Sequence, residues 1–149
     1  MVHCPYYFTS RIIGTIGPEL GNLIAENPPV GDSVGLIIHN VHGVSARPSL
    51  DTSFGTRRPH LVVGIAGTIS PSGSANDPEF KKVENWAEDL ARKIGDSEVA
   101  LDTAYMNFTS PEEYQADKVY GKDDLATLRK VKLRYDPGNV FFKGSPALL

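Results

Sequence analysis

Residues 104–142 contain Ala104-Tyr-Met-Asn-Phe108, Ser110-Pro-Glu-Glu113, Tyr120-Gly121, Leu125-Ala-Thr-Leu-Arg-Lys-Val-Lys132 and Tyr135-Asp-Pro-Gly-Asn139-Val-Phe-Phe142, in that order. The β-prone run from Val99 to Phe108 predicts a strand. Ser110-Pro-Glu-Glu113 has the spacing of a capping box and predicts the start of a short helix. Asp123 to Tyr135 predicts a longer helix, with Leu125, Leu128, Val131 and Leu133 turned inward. Asp136-Pro137 ends it, because proline cannot continue the hydrogen-bond ladder. Val140-Phe141-Phe142 is expected to pack back as a tail.

Upstream, Phe8 to Gly14 is a short β-prone run ended by glycine. Pro18 opens a helix to Glu26, with Leu20, Leu23 and Ile24 at helical spacing, and Pro28-Pro29 stop it. Val34 to His39 and Leu61 to Thr68 are the two strongest strands, and Gly43 marks a turn or bulge after the first. Ser70 to Pro78 is a polar loop, the most mobile segment by composition. Glu79 to Ile94 is amphipathic, with Val83, Trp86, Ala87, Leu90 and Ile94 as its apolar stripe and Gly95 at its end. The segment joining the two strongest strands is loop-rich and leaves no room for a crossover helix, so they are expected to be antiparallel. The fold class that follows is α+β, an antiparallel β-sheet with helices packed on one face, in a single domain spanning residues 1–149.

Composition narrows the partners. Apolar residues make up 40% and charged residues 22%, ordinary for a globular chain. The net charge is −3 and no Lys/Arg block occurs, so nucleic acid is not an expected partner. No apolar run reaches the roughly 18 residues a membrane-spanning helix needs. The single cysteine, Cys4, cannot form an internal disulfide, which fits a reducing compartment. The first residues lack a basic region and an apolar core, so no signal peptide is expected and the predicted location is cytoplasmic. The sequon Asn107-Phe108-Thr109 falls where a buried strand is expected.

Taken together, these segments resemble the C-terminal part of berberine bridge enzyme-like flavin oxidases. Phe8-Thr-Ser-Arg11 is similar to the Phe-x-x-Ser-Arg segment that opens the family's substrate domain. Thr52-Ser-Phe54 with Arg57 is similar to its Thr-Ala-Phe-Pro-His-Arg segment, with Thr56 in place of the His. Tyr120-Gly121, the Leu125 to Lys132 helix and Asp136-Pro-x-Asn-x-Phe141 are the most specific matches. The resemblance implies a substrate-binding domain that roofs a flavin ring. In the family a separate N-terminal domain holds FAD, usually through a His and often a Cys. That domain is expected to be missing here, so the expected cofactor is none.

The catalytic positions depart from the family. The Pro-x-Gly-Gly segment, which leads to a Glu base in some plant members, corresponds to Asn40-Val-His-Gly43, and the Glu then falls at Arg47. Other members use a Tyr base in Tyr-x-Asn-Tyr; here the segment is Tyr105-Met-Asn-Phe108, without the second hydroxyl. The tail segment Asn-x-x-x-Gln-Ser-Ile-Pro is replaced by Phe141-Phe-Lys-Gly-Ser-Pro146.

The candidate catalytic residues are Arg47, Tyr105, His39 and His42. Arg47 can hold a carboxylate, enolate or carbonyl through its forked donors, or form a surface ion pair. Either histidine suits proton transfer near neutrality, or a structural hydrogen bond. Three positions apart on a strand they point to opposite faces, which makes them a poor metal pair. Arg57, Arg58 and His60 form a small basic cluster that could steer an anionic ligand but reads rather as a solvated loop. Candidate substrate-binding residues are Asn107, Phe108, Met106 and Phe54. On a strand, Tyr105 and Asn107 share one face and Met106 and Phe108 the other. Trp86 reads as core, and Gly64-x-x-Gly67 is too short for a dinucleotide loop.

The expected function is a cofactor-independent enzyme of specialised metabolism. It would carry out a non-redox cyclisation, isomerisation or dehydration, including pericyclic steps, on a polycyclic or polyketide-like intermediate. The alternative is a small-molecule-binding or accessory subunit that completes a separate FAD-dependent oxidase. Expected partners are a hydrophobic small molecule and a second copy in a homodimer, with the pocket near that interface.

Overall fold

The computed structural model describes residues 6–31, 33–48, 55–68, 74, 76–109, 115–142 and 148. Cys4, Phe54, Ser110-Pro-Glu-Glu113 and most of the Ser70 to Pro78 loop lie outside the described residues.

Three strands form one antiparallel sheet: β1 (Tyr6–Ile13), β2 (Val34–Val41) and β3 (His60–Thr68), in the order β1-β3-β2. The two strongest strands of the sequence pair as expected, from Val34 opposite Gly67 to Val41 opposite His60. β1 flanks β3 on its other side, from Tyr6 opposite Thr68 to Ile13 opposite Leu61. Helices α1 (Pro18–Glu26) and α2 (Pro78–Gly95) follow the first and third strands. Asp77 caps α2 by accepting a hydrogen bond from the Glu79 N–H (2.9 Å), and Pro78 sits where a missing N–H costs nothing.

α2 lies on one face of the sheet. Val83, Ala87, Leu90 and Ile94 are buried there, with Phe80 and Ala91 widening the stripe. The alternate residues Leu61, Val63 and Ile65 of β3 and Ile13 of β1 meet Ala87, Leu90, Ala91 and Ile94 in the main core, while Phe80 and Val83 form a second cluster with Tyr7 and Val34. Gly67 is on this face because α2 comes so near: a Cβ there would lie 2.1 Å from Val83 Cγ1. Trp86 packs at the core's edge, and its Nε1–H donates to the Asn27 carbonyl (3.1 Å). Lys93 Nζ donates to Asn27 Oδ1 (2.5 Å), so Asn27 ties the end of α1 to α2.

The chain then departs from expectation. Val99 to Phe108 does not form a strand. Only Ala100 bridges β1, opposite Ile13, flanked by Gly14 N–H to Val99 O and Leu101 N–H to Ile12 O (both 2.8 Å). Thr103 leaves the sheet edge because its Oγ1 donates to the Lys118 carbonyl (2.8 Å). Thr56 Oγ1 is in turn hydrogen-bonded to Thr103 Oγ1, and since Thr103 has given its proton to Lys118, Thr56 is the donor. This relay pins residues 101–104 to α3 (Ala116–Tyr120). Met106–Phe108 then forms a 3-10 turn.

α4 (Lys122–Tyr135) occupies the predicted helix, but none of its residues is buried. Leu125 and Leu128 are half-buried, and Val131 and Leu133 are exposed, against the inward packing expected. The tail also fails to bury its side chains: Val140, Phe141 and Phe142 are all at least 60% exposed. Its backbone does turn back, because Lys132 Nζ donates to the Phe141 carbonyl (2.9 Å).

Candidate functional site

The sheet face opposite α2 carries Phe8 from β1, His60, Val62 and Gly64 from β3, and Ile37, His39 and Val41 from β2, by strand alternation in the observed register. Gly64 leaves a gap that the Phe8 ring fills; a Cβ at Gly64 would lie 2.7 Å from Phe8 Cζ. The Phe108 ring sits 5.2 Å from each of three other rings, those of Phe8, His39 and Tyr105. One side chain thus spans the sheet from β1 to β2.

The 3-10 turn makes this convergence possible. Tyr105 and Phe108 are three apart, so one turn brings them to the same side, where their rings meet edge to face. A strand would have set them on opposite faces, as the sequence suggested. The Tyr105 carbonyl closes the turn by accepting from the Phe108 N–H and the Thr109 Oγ1–H (both 2.9 Å).

Beside Phe108 lies a cleft of about 470 Å³, lined among others by His39, Ser45, Arg57, His60, Val62 and Tyr105. Its size is that of a small-molecule site, and its mix of ring faces with a few polar groups is the usual make-up of one. Arg57 is half-buried and its Nη1 donates to the Ser45 carbonyl (2.7 Å), fixing the guanidinium at one wall. His60 is only 1% exposed, and its Nδ1 lies 2.7 Å from the Arg58 carbonyl. A carbonyl only accepts, so a neutral His60 carries its proton on Nδ1 and its lone pair on Nε2. Two polar groups that read as a solvated loop in sequence therefore line the cleft. The signal that could have found them is alternation: His60, Val62 and Gly64 share one strand face, opposite Val63 and Ile65.

Of the sequence candidates, the structure brings His39, Tyr105 and Phe108 together. Asn107 is exposed, and its Nδ2 donates to Tyr105 Oη (3.2 Å), supporting that phenol from outside. Met106 turns toward α3, where its Sδ accepts from the Tyr120 hydroxyl (4.0 Å). His42 is exposed beyond the end of β2, at the start of the 3-10 turn Gly43–Ala46, where Gly43 adopts φ 72°. Arg47 is exposed at the end of that turn and does not line the cleft. Arg57, ten residues on, is the guanidinium at its wall.

No helix among the described residues is long and apolar enough to cross a membrane. Residues 104–143 match the model of the family described as "berberine and berberine like". No curated protein matches the chain. Over these residues the match bears out the resemblance read from the sequence and relates this part of the chain to the berberine bridge enzyme-like, FAD-linked oxidases. The space above Gly64 and Gly67, where a dinucleotide phosphate would need bare backbone, is filled by Phe8 and Val83.

Proposed function

We propose that the sheet-face cleft binds a largely apolar, oxygenated small molecule of polycyclic or polyketide-like type, and that the chain promotes a non-redox isomerisation, cyclisation or dehydration of it. The convergence of His39 and Tyr105 on the Phe108 ring carries this reading. Phe108 offers a face for a planar substrate. Tyr105 Oη–H and the Arg57 guanidinium are donors for a substrate carbonyl. His39 is an acceptor for a proton on the adjacent carbon. Loss of that proton moves the C–H electron pair into a new C=C bond and the carbonyl π pair onto oxygen. Return of a proton at another position completes an isomerisation with no change in oxidation state.

The test uses 1-tetralone, a fused-ring aryl ketone with exchangeable protons on the carbon next to its carbonyl. Deuterium uptake in D₂O is followed by NMR with the wild-type chain, His39→Asn and Tyr105→Phe. The expected result is accelerated exchange over buffer. Its loss in His39→Asn should be about 10²-fold or more, the usual scale of general base catalysis. Exchange at the buffer rate with wild-type protein, or unchanged exchange in both variants, overturns the reading.

A second reading, a binding subunit that completes a flavin-bearing oxidase, is favoured by the match of residues 104–143 to a family of FAD-linked oxidases. It predicts a flavin absorbance band between about 300 and 500 nm in material purified from its native source, together with the added mass of a flavoprotein in native mass spectrometry. Colourless protein at its own mass, or a simple multiple of it, counts against it.

A further inference from the structure

We propose that the outer edge of β1 carries a second small-molecule site, separate from the sheet-face cleft, and that it takes a carboxylate. The site is a hollow of about 560 Å³, lined among others by Ser10, Arg11, Leu101, Ala104, Gln115 and Lys118. None of these six residues lines the cleft. The hollow exists because the chain leaves the sheet. Ala100 bridges Ile13, the Leu101 N–H donates to the Ile12 carbonyl, and Thr103 is then drawn to Lys118. In the register of that bridge, Thr103 would have stood opposite Ser10. Its departure leaves this length of edge open.

Ser10 carries the proposal. The Leu101 bond shows that Ile12 turns its N–H and C=O away from β3, and by strand alternation Ser10 does the same. Ser10 is 4% exposed, and among the described residues its buried hydroxyl makes no hydrogen bond. A polar group buried in this way costs stability until a partner reaches it, and the hollow is the space from which one can come. Arg11 Nη1 donates to the Ser10 carbonyl (2.7 Å), which sets its guanidinium at this edge. Lys118 also lines the hollow and pairs with Asp102 (3.1 Å), a pair too exposed to hold it firmly. Two cations against one carboxylate leave the described wall net positive, although the chain as a whole carries −3. The Ile94 carbonyl at the end of α2 already accepts from the Ser97 N–H (3.2 Å) and Oγ–H (2.7 Å), so it does not compete for the cations. Guanidinium, ammonium and hydroxyl donors together suit a carboxylate, and Leu101 and Ala104 offer apolar wall for its carbon skeleton.

The probe is sodium benzoate, with benzamide as its uncharged isostere, each titrated to about 20 mM into the full chain and followed by ¹H–¹⁵N NMR. Saturable shifts are expected at the Ser10, Ala104, Gln115 and Lys118 amides, with a Kd on the order of 1 mM for benzoate and about tenfold weaker binding of benzamide. Ser10→Ala should weaken benzoate about fivefold, the scale of one hydrogen bond. It should not lower the thermal unfolding midpoint, because the hydroxyl it removes has no partner among the described residues. Lys118→Gln, at a partly exposed site, should weaken benzoate about threefold. No saturation by about 20 mM overturns the proposal, and so does equal affinity for benzamide or a benzoate affinity indifferent to both variants. Shifts confined to the His39, Arg57 and Tyr105 amides place the carboxylate in the cleft and overturn it too. A Ser10→Ala chain that unfolds well below wild type, or does not fold, shows a hydroxyl already bonded and removes the reason for a ligand.

Discussion

α2 and α4 are both amphipathic in sequence, yet they are held in opposite ways. α2 buries Phe80, Val83, Ala87, Leu90, Ala91 and Ile94 against the sheet. α4 buries no side chain and packs chiefly on the short α3 before it. The first helix is part of the hydrophobic core. The second is held by its hydrogen bonds to the tail and by the joint that precedes it. Apolar spacing therefore shows which face of a helix wants cover, and only the rest of the fold decides whether cover is present.

The largest effect that would sharpen this contrast comes from truncating one leucine or valine in each helix. Leu90, 1% exposed, packs in the main core, so Leu90→Ala should cost about 2–5 kcal/mol in urea unfolding. Val131→Ala, at a half-exposed site, should stay within about 0.5 kcal/mol for the monomer. Equal losses would mean that α4 shares the core after all.

The joint between the two regions should respond next. Gly55 crosses the backbone of Tyr120 and Gly121 so closely that a Cβ would lie 2.6 Å from the Tyr120 carbonyl carbon. Gly121 itself adopts φ 83°, which side-chain-bearing residues avoid. The Tyr120-Gly121 signature is thus a place where two chain segments cross with no room for a side chain. Gly55→Ala should cost about 1–3 kcal/mol, the scale of overpacking. The loss should appear as faster amide exchange in α3 and α4, with the sheet amides unchanged. Exchange rising uniformly across the chain would show that the two regions unfold as one unit.

What the sequence revealed divides along the same line. The bounds of α1 and the antiparallel pairing of the two strong strands were legible because proline stops, strand alternation and connection length are local signals. The Val99 to Phe108 segment was not. Its residues suit a strand, but the hydroxyls of Thr56 and Thr103 and the carbonyl of Lys118, far apart in sequence, draw it off the sheet edge. That change of course brings Tyr105 and Phe108 to one side and builds the cleft. Tyr105, Phe108 and His39 were named from the resemblance and their chemistry. Arg57 and His60 were passed over because a basic cluster beside a proline reads as loop, and only the strand register shows that His60 faces the cleft.

The smallest expected effect concerns the tie that turns the tail back on α4. Asp136 Oδ1 accepts from the Val140 N–H (2.7 Å) and Oδ2 from the Phe141 N–H (3.0 Å), and Lys132 forms an ion pair with the same carboxylate. Asn139 adopts φ 48°, a left-handed conformation that asparagine tolerates, so that the chain can fold over. The Lys132 hydrogen bond, followed by those two N–H groups, holds the Asp136 carboxyl below the usual carboxylate range. A depressed pKa stabilises the folded turn above the unfolded value of about 3.9, and that contribution is lost as pH falls through the lower folded value. In a ¹H–¹⁵N titration the Val140 and Phe141 amides should therefore hold their shifts down to about pH 4 and move together below it. β3 amides should stay fixed over the same range. Asp136→Asn should abolish the transition while leaving the core intact. A transition that persists in Asp136→Asn, or one that begins near neutrality, would mean that some other group holds the tail, and the contrast between a core-packed helix and a tethered one would need a different tether.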